Sequence, residues 1–164
     1  MRLPIVDKLE KDLMDSKREL EVDIPKALKT ATDMGDLSEN AEYKAAKERQ
    51  MFLESRVSQL QKRISDIVSI DIHRIPKDRS GLGSTMLLKD LDSGQEKTFN
   101  LVFPEEVNPE EGKISLASPL GKALLGKQEG DDVQLKFGDK QQEFEVLQVT
   151  TIHETLNHSG QQDS

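Results

Sequence analysis

The sequence predicts an α+β protein, with a long antiparallel coiled-coil hairpin of two helices at the N-terminus and a small antiparallel-sheet domain with one short helix at the C-terminus. Two apolar runs with helical spacing come first, short segments of strand character follow, and a stretch rich in glycine and proline at residues 73–83 separates them. We therefore divide the chain into a hairpin over residues 1–75, a strand domain over 76–156 and a disordered tail over 157–164.

The first helix is predicted from one stripe of apolar residues, which follow one another at spacings of three, four or seven residues. Its members are Leu9, Leu13, Leu20, Ile24, Ala27 and Ala31. Pro25 lies inside this stripe, where its missing N–H predicts a bend. Gly35 is a residue type that readily ends a helix.

The second helix is predicted from a coiled-coil seam with alternating spacings of four and three residues. The seam consists of Ala46, Gln50, Leu53, Val57, Leu60, Ile64 and Ile67. Neither helix can bury its stripe alone, and the connection between them is short, so an antiparallel hairpin is expected. With about 25 to 30 residues in each helix, its length is roughly 40 Å.

The second half reads as short strands separated by turn signals such as Ser93-Gly94 and Gly138-Asp139. A short helix is predicted over residues 119–125, with Ser118 as the N-cap, Pro119 at the first helical position and Gly126 just past the end. The strands are predicted over Thr85 to Leu91, Lys97 to Phe103, Lys113 to Ala117, Val133 to Phe137 and Glu143 to Ile152.

Composition excludes several classes of function. The net charge of −8 argues against nucleic-acid binding driven by bulk charge. The absence of Cys excludes thiolate metal sites and thiol nucleophiles, and the low aromatic content of 4% disfavours a large aromatic ligand pocket. Without a signal-peptide pattern or a long apolar run, a cytoplasmic location without membrane attachment is expected.

Charge is divided unevenly along the chain. Residues 1–75 carry a net charge of −1 and residues 76–164 a net charge of −7. The hairpin is therefore the part suited to approach a polyanion, whereas the strand domain suits a basic or mixed protein surface.

Two carboxylates, Asp36 and Glu39, lie three residues apart at the predicted start of the second helix. On a helical turn they would share one side and could complete the coordination of a Mg²⁺ ion whose other ligands come from a partner. The same spacing also fits a capping box, with Asp36 as the N-cap and Glu39 reaching back to it. Spacing alone leaves both interpretations open.

Two motifs resemble the GreA/GreB transcript-cleavage factors of bacterial RNA polymerase. The first is GDLSENAEYKAAKERQ at residues 35–50, and the second is SPLGKALLGK at residues 118–127, followed by Gly130-Asp131. They occur in the order and spacing of the family, and the resemblance covers nearly the whole chain and is closer to GreA than to GreB.

The resemblance implies a fold and a mechanism. The coiled coil would enter the secondary channel of RNA polymerase, and the C-terminal domain, similar in fold to FKBP, would dock at the channel entrance. Asp36 and Glu39 match the acidic tip residues of the family, which would share a Mg²⁺ ion with the polymerase active site and assist hydrolysis of the RNA 3′ segment in backtracked complexes. The factor would bind no cofactor alone, would not be an enzyme itself and would act as a monomer.

Other positions receive supporting roles. Asn40 is expected either to orient Glu39 or the tip backbone, or to serve only as a helix cap. Tyr43 is expected either to stack on a base or to pack on the first helix. Basic residues that could pass close to RNA are Lys44, Lys47 and Arg49, and the residues expected to dock on the polymerase are Ser118, Pro119, Leu120 and Gly121.

The sequence departs from the family pattern at two places. Thr32 stands in place of an Arg that the family commonly has before the tip, so we expect a basic contact to RNA to be missing there. Val102-Phe103-Pro104 stands where a Val-Gly often follows the second strand, which predicts a different loop geometry. Three alternatives remain: a factor of the same fold that regulates or inhibits the polymerase without stimulating cleavage, a coiled-coil adaptor, and a prolyl isomerase, which would need an aromatic-lined pocket.

Overall fold

The structure is a computed structural model that describes residues 3–35 and 39–159, without the side chains of Phe137, His158 and Ser159. The chain forms two compact units, Met1–Asp71 and Ile72–Ser164. Within the described residues, no helix is both long and apolar enough to cross a membrane.

The first unit is an antiparallel pair of helical arms. The first arm consists of α1 (Pro4–Arg18), a π-helical turn (Glu19–Asp23) and α2 (Ile24–Asp33), and the second arm is α3 (Ala41–Val68). Arg49 pairs with Glu19 and Arg56 with Asp12, so later residues of α3 meet earlier residues of the first arm. The 28 residues of α3 correspond to about 42 Å.

The predicted seam of α3 is confirmed. Ala46, Leu53, Leu60 and Ile67 are buried, and the residues between them on the seam, Gln50, Val57 and Ile64, are partly buried. On the first arm the prediction fails at Ala27, which is exposed, while Leu28 is partly buried in its place.

A π-helical turn before Pro25 accompanies the exchange of Leu28 for Ala27 on the first arm. In a regular α-helix the amide of residue 25 would donate to the carbonyl of Glu21, but proline has no N–H. The amide of Ile24 instead donates to the carbonyl of Glu19, five residues back. The extra residue in this turn changes the phase of the following helix, and Leu28 rather than Ala27 lies on the inner side between the buried Ile24 and Ala31.

The second unit is built on a five-stranded sheet in the order β3-β2-β1-β5-β4. The strands are β1 (Thr85–Asp90), β2 (Glu96–Val102), β3 (Lys113–Ser115), β4 (Asp132–Phe137) and β5 (Lys140–Thr150). Its core lies between the sheet and a short helix, α4 (Pro119–Leu124), and includes Met86, Leu88, Leu101, Leu124, Val133, Leu135, Phe144 and Val146. The predicted α+β fold is therefore confirmed.

Three of the four strand pairs in this sheet are antiparallel as predicted, whereas β2 and β3 run parallel. A parallel pair needs a connection that carries the chain back to the starting end of the first strand. Two 3-10 turns, Pro104–Glu106 and Pro109–Glu111, lie in that connection.

The C-terminal segment also differs from the prediction. Residue 152 starts a helix, α5 (Ile152–Ser159), because the carbonyl of Thr151 accepts hydrogen bonds from the amides of Glu154 and Thr155 and turns the chain. The prediction that disorder begins at residue 157 is therefore wrong for residues 157–159. Residues 160–164 lie outside the described part of the chain.

Helix α4 packs closely on the chain that precedes it. Ser118 is the N-cap as predicted, with its hydroxyl accepting from the Gly121 amide at 3.0 Å and donating to the Ser115 carbonyl at 2.7 Å. Gly121 is buried, and a Cβ atom at this position would collide with the Ser115 carbonyl oxygen. Only glycine permits this approach of helix to backbone.

Replacing Gly121 with Ala is expected to destabilise the second unit by about 1–3 kcal/mol, because the added methyl group must push α4 away from the Ser115 carbonyl. Urea unfolding followed by circular dichroism measures the loss. Lys122→Ala, at the exposed neighbouring position, serves as the control and should change stability by less than about 0.5 kcal/mol. Equal stability of the two variants would contradict the close approach.

The turn between β1 and β2 is held by the buried carboxylate of Asp90. Its Oδ1 atom accepts hydrogen bonds from the amides of Asp92 at 2.9 Å and Ser93 at 3.3 Å. These backbone hydrogen bonds favour the charged carboxylate and lower the pKa of Asp90.

Because folding lowers the pKa of Asp90, its contribution to stability is complete above the unfolded-state pKa of about 3.9 and is lost as the pH falls through the lower folded-state value. Asp90→Asn should therefore be less stable than the wild type near neutral pH, and the difference should shrink below about pH 4. Urea unfolding at several pH values tests this, with Asp92→Asn as the control. A difference that grows on acidification would contradict the expected sign.

Candidate functional site

The candidate site lies at the tip of the hairpin, the connection from α2 to α3. The amide of Met34 donates to the carbonyl of Ala31 at the end of α2, and Gly35 follows with φ of 129°, a conformation that favours glycine. Asp36, one of the two predicted tip carboxylates, lies outside the described residues. Glu39 is described, and its side chain is exposed in the turn immediately before α3.

The cap of α3 is Asn40, whose Oδ1 accepts from the Tyr43 amide at 3.0 Å. The predicted capping box of Asp36 and Glu39 is therefore wrong, because α3 begins at Ala41 and both acidic residues precede the cap. The cap role expected for Asn40 is confirmed. The sequence contained a signal for this assignment, since Asn is a preferred capping residue, but the acidic pair fitted the same pattern.

Asn40 makes a second contact that the sequence did not indicate. Its Nδ2 donates to the carbonyl of Ala31 at 2.6 Å, across the tip from α3 to the last turn of α2. The side chain is only 9% exposed, so both ends of its amide are used in a buried position. This contact joins residues nine positions apart and depends on how the two arms meet, so the pattern of residue types along the sequence does not predict it.

Tyr43, Lys44 and Lys47 occupy the first two turns of α3. Tyr43 is partly buried, and the Lys47 ammonium lies 5.8 Å from the centre of its ring and 3.3 Å from Oε1 of Gln50. Lys44 and Lys47 are exposed, so two of the predicted basic residues present their charge at the surface near the tip.

Arg49, the third predicted basic residue, is engaged with the first arm. Its Nε and Nη2 atoms bind the two carboxylate oxygens of Glu19 at 2.8 and 2.9 Å, and its guanidinium lies 5.1 Å from the centre of the Phe52 ring. The hydrogen bonds from Arg49 lower the pKa of the Glu19 carboxyl, and the same pairing raises the pKa of Arg49. Arg49 therefore supports the pairing of the two arms.

The exposed carboxylate of Glu39, next to the helix cap, can provide oxygen ligands to a divalent cation. Mg²⁺ prefers such hard ligands and is commonly held by one or two protein carboxylates, with water and phosphate oxygens completing the shell. Within the described residues, no group of three or more His, Cys, Asp or Glu side chains is placed to hold a metal ion. Glu39 fits a shared metal site by donor type and exposure, with the remaining ligands supplied by a partner.

The second candidate region is α4, where four docking residues were predicted. Ser118 and Gly121 face inward, as N-cap and as buried contact to Ser115, while Pro119 is exposed and Leu120 is partly buried. Two exposed residues that the prediction omitted, Lys122 and Leu125, flank them, and Leu125 is 48% exposed although it is apolar. The motif therefore combines residues that build α4 with residues available to a partner.

Two alternative functions receive little support from the described residues. Phe103 and Phe144 are buried and Phe99 packs against the core, so these rings are not available to line a prolyl-isomerase pocket. Met51 and Phe52 are exposed on α3, but the helical neighbours Lys47, Glu48 and Ser55 are polar. Exposed apolar residues on α3 thus do not continue into a second coiled-coil seam.

Comparison with known proteins matches both units to one family. The family model described as "Transcription elongation factor, N-terminal" matches residues 5–68, and the one described as "Transcription elongation factor, GreA/GreB, C-term" matches residues 75–151.

Individual relatives agree with these matches. A protein named transcription elongation factor GreA from Desulfotalea psychrophila is 40% identical over 144 residues, which are 88% of this chain and 89% of the relative. One with the same name from Chloroherpeton thalassium is 42% identical over 143 residues, 87% and 90% of the two chains. Among solved structures, GreA factor homolog 1 from Thermus thermophilus has 30% sequence identity to this chain. The match covers 88% of this chain and 94% of the homolog, with a TM-score of 0.40. The two family models and the two GreA-named relatives confirm the resemblance seen in the sequence, and the chain belongs to the GreA/GreB family of transcription elongation factors.

Proposed function

We propose that this chain is an elongation factor that binds RNA polymerase at its secondary channel and stimulates the polymerase to hydrolyse RNA in backtracked complexes. The proposal rests on family membership together with one observation: an exposed carboxylate, Glu39, directly precedes the buried cap of a helix about 42 Å long. Such a hairpin is long enough to present a carboxylate inside a buried active site. The factor acts as a monomer in the cytoplasm and has no hydrolytic activity alone.

The metal in this proposal is shared with the polymerase. Glu39, together with Asp36, would hold a Mg²⁺ ion whose remaining ligands belong to the polymerase and the RNA, because two carboxylates cannot fill an octahedral shell. When bound, the ion would stabilise negative charge on phosphate oxygens and favour ionisation of a coordinated water. The carboxylates of this chain would thus supply ligands for the ion, and the polymerase would supply the active site in which the RNA is hydrolysed.

The surface near the tip carries few free positive charges, so it could lie beside RNA without strong nonspecific electrostatic attraction to the phosphates. Lys44 and Lys47 are exposed and are the basic residues that we assign to the nascent RNA 3′ segment, with Tyr43 beside them as the aromatic candidate for a base. Arg49 is already paired with Glu19, and Thr32 donates its hydroxyl to the Leu28 carbonyl at 2.7 Å. Basic contacts to RNA are therefore few, consistent with a hairpin of net charge −1.

Docking is assigned to the exposed face of α4 together with the residue that follows the helix, a surface formed by Pro119, Lys122 and Leu125. The segment from residue 112 to residue 128 contains lysines and no acidic residue, although residues 76–164 carry a net charge of −7. A basic and apolar patch on an acidic unit fits a partner surface that is itself apolar with acidic groups around it.

Stimulated cleavage depends on the tip carboxylates in this proposal. Wild type is expected to shorten the RNA of a stalled, backtracked complex in the presence of Mg²⁺, whereas Asp36→Ala with Glu39→Ala should be slower by about 100-fold or more, the usual effect of removing groups that stabilise transition-state charge. The comparison is made at matched polymerase occupancy with gel analysis of the RNA.

The control is Glu42→Ala with Glu48→Ala, which removes two exposed carboxylates from α3 while leaving the tip intact. It should cleave as the wild type does. If the wild type binds polymerase without cleaving, the chain is a regulator of the same fold; if the tip variant cleaves normally, the carboxylates have no part in the reaction.

Affinity for the polymerase should depend on the exposed face of α4. Lys122→Glu with Leu125→Ser is expected to weaken binding at least tenfold, because it reverses a charge and removes an exposed apolar contact without touching the cap or Gly121. Fluorescence anisotropy with labelled factor measures the affinity, and circular dichroism verifies the fold.

Lys136→Glu, an equal charge change at an exposed position of β4, is the matched variant and should bind within about twofold of the wild type. If both lysine variants weaken binding equally, only net charge matters and the docking face is wrongly assigned.

A further inference from the structure

We infer that Asn40 is a positioning residue for Glu39: its side chain ties the start of α3 to the end of α2 and so fixes the backbone from which the Glu39 carboxylate projects. The inference rests on the proposed function, in which Glu39 acts on the polymerase metal site. Asn40 itself touches neither the metal nor the RNA in this scheme.

The first support is that Asn40 makes more contacts than a cap requires. A helix cap needs only a side-chain acceptor, which Ser, Thr and Asp also provide. Asn40 supplies that acceptor to the Tyr43 amide at 3.0 Å and, in addition, donates from Nδ2 to the Ala31 carbonyl at 2.6 Å. Ser and Thr also carry a donor, but on the same hydroxyl oxygen that accepts the cap hydrogen bond. Of the preferred capping side chains, only asparagine carries its acceptor and its donor on two separate atoms, Oδ1 and Nδ2.

The second support is where the additional hydrogen bond ends. The Ala31 carbonyl also accepts from the amide of Met34 at 3.2 Å, so one oxygen atom joins the last turn of α2 to the cap of α3. Ala31 is 2% exposed and Asn40 is 9% exposed, so water does not readily replace either partner. A buried hydrogen bond of this kind is costly to leave unmade.

The third support is the short distance along the chain from this clamp to the carboxylate. Glu39 is the residue immediately before Asn40, and the Asn40 carbonyl accepts from the Lys44 amide at 3.1 Å in the first turn of α3. The backbone on one side of Glu39 is therefore held by α3 and, through the Asn40 side chain, by α2. A ligand that must meet a partner's metal within fractions of an ångström benefits from such fixation, since a displacement of about 1 Å can reduce a rate about 100-fold.

Asn40→Ser separates the two roles of the side chain, because serine retains a capping acceptor but is one heavy atom shorter and lacks the Nδ2 atom that donates to the Ala31 carbonyl. At matched polymerase occupancy, the maximal cleavage rate should fall about 10- to 100-fold, and the Mg²⁺ concentration for half-maximal cleavage should rise severalfold. Val57→Ala, which weakens the partly buried seam away from the tip, is the matched structural control. It should lower the melting temperature without changing the Mg²⁺ dependence.

A second measurement on the free chain is independent of cleavage. The ¹⁵N order parameter of Glu39 should be near 0.85 in the wild type and clearly lower in Asn40→Ser, while residues within α3 stay rigid. An unchanged Glu39 order parameter would overturn the inference whether or not the wild type cleaves RNA. The inference would also be overturned if the Glu39 order parameter falls in Asn40→Ser while the cleavage rate and its Mg²⁺ dependence stay at the wild-type values. Absence of cleavage by the wild type would reject only the proposed function.

Discussion

The antiparallel pairing of the two helical arms along one apolar seam is the constraint on which the hairpin depends. Leu53 and Ile67 of α3 are 1% exposed, and they reach this burial only because the first arm covers them. An isolated helix with such a seam would leave the apolar stripe in water, and most helical stability in proteins comes from packing of this kind. The position of the tip therefore follows from how the arms align.

Alignment of the arms is fixed by polar features that flank the seam. The π-helical turn before Pro25 sets which side chains of α2 face α3, and the bidentate pair of Glu19 with Arg49 joins that same turn to the second arm. At the far end, the Ala31 carbonyl and the Asn40 side chain close the hairpin. The first arm is thus held at its bend and at its end, with the candidate carboxylate adjacent to the second of these points.

The C-terminal unit uses a different device to present its surface. A buried glycine lets α4 lie against the Ser115 carbonyl, and the Ser118 hydroxyl bridges the helix to the same residue. This close contact turns Lys122 and Leu125 outward, on a unit whose other charges are predominantly acidic. The motif at residues 118–127 therefore contains residues that build α4 and residues that are exposed, and substitutions of the two kinds have different effects.

The sequence by itself determined the α+β class, the seam of α3 and the Ser118 cap, because these depend on periodicity and on local side-chain to backbone chemistry within a few residues, and its two motifs indicated the family by their resemblance to known members. It did not determine that Leu28 replaces Ala27 on the first arm, that β3 runs parallel to β2, or that Asn40 bonds to Ala31. Each of these depends on how distant segments meet: a one-residue change of helical phase, a crossover between strands, and a hydrogen bond across a closed hairpin. Local patterns carry no record of such contacts, so only the tertiary structure could decide them.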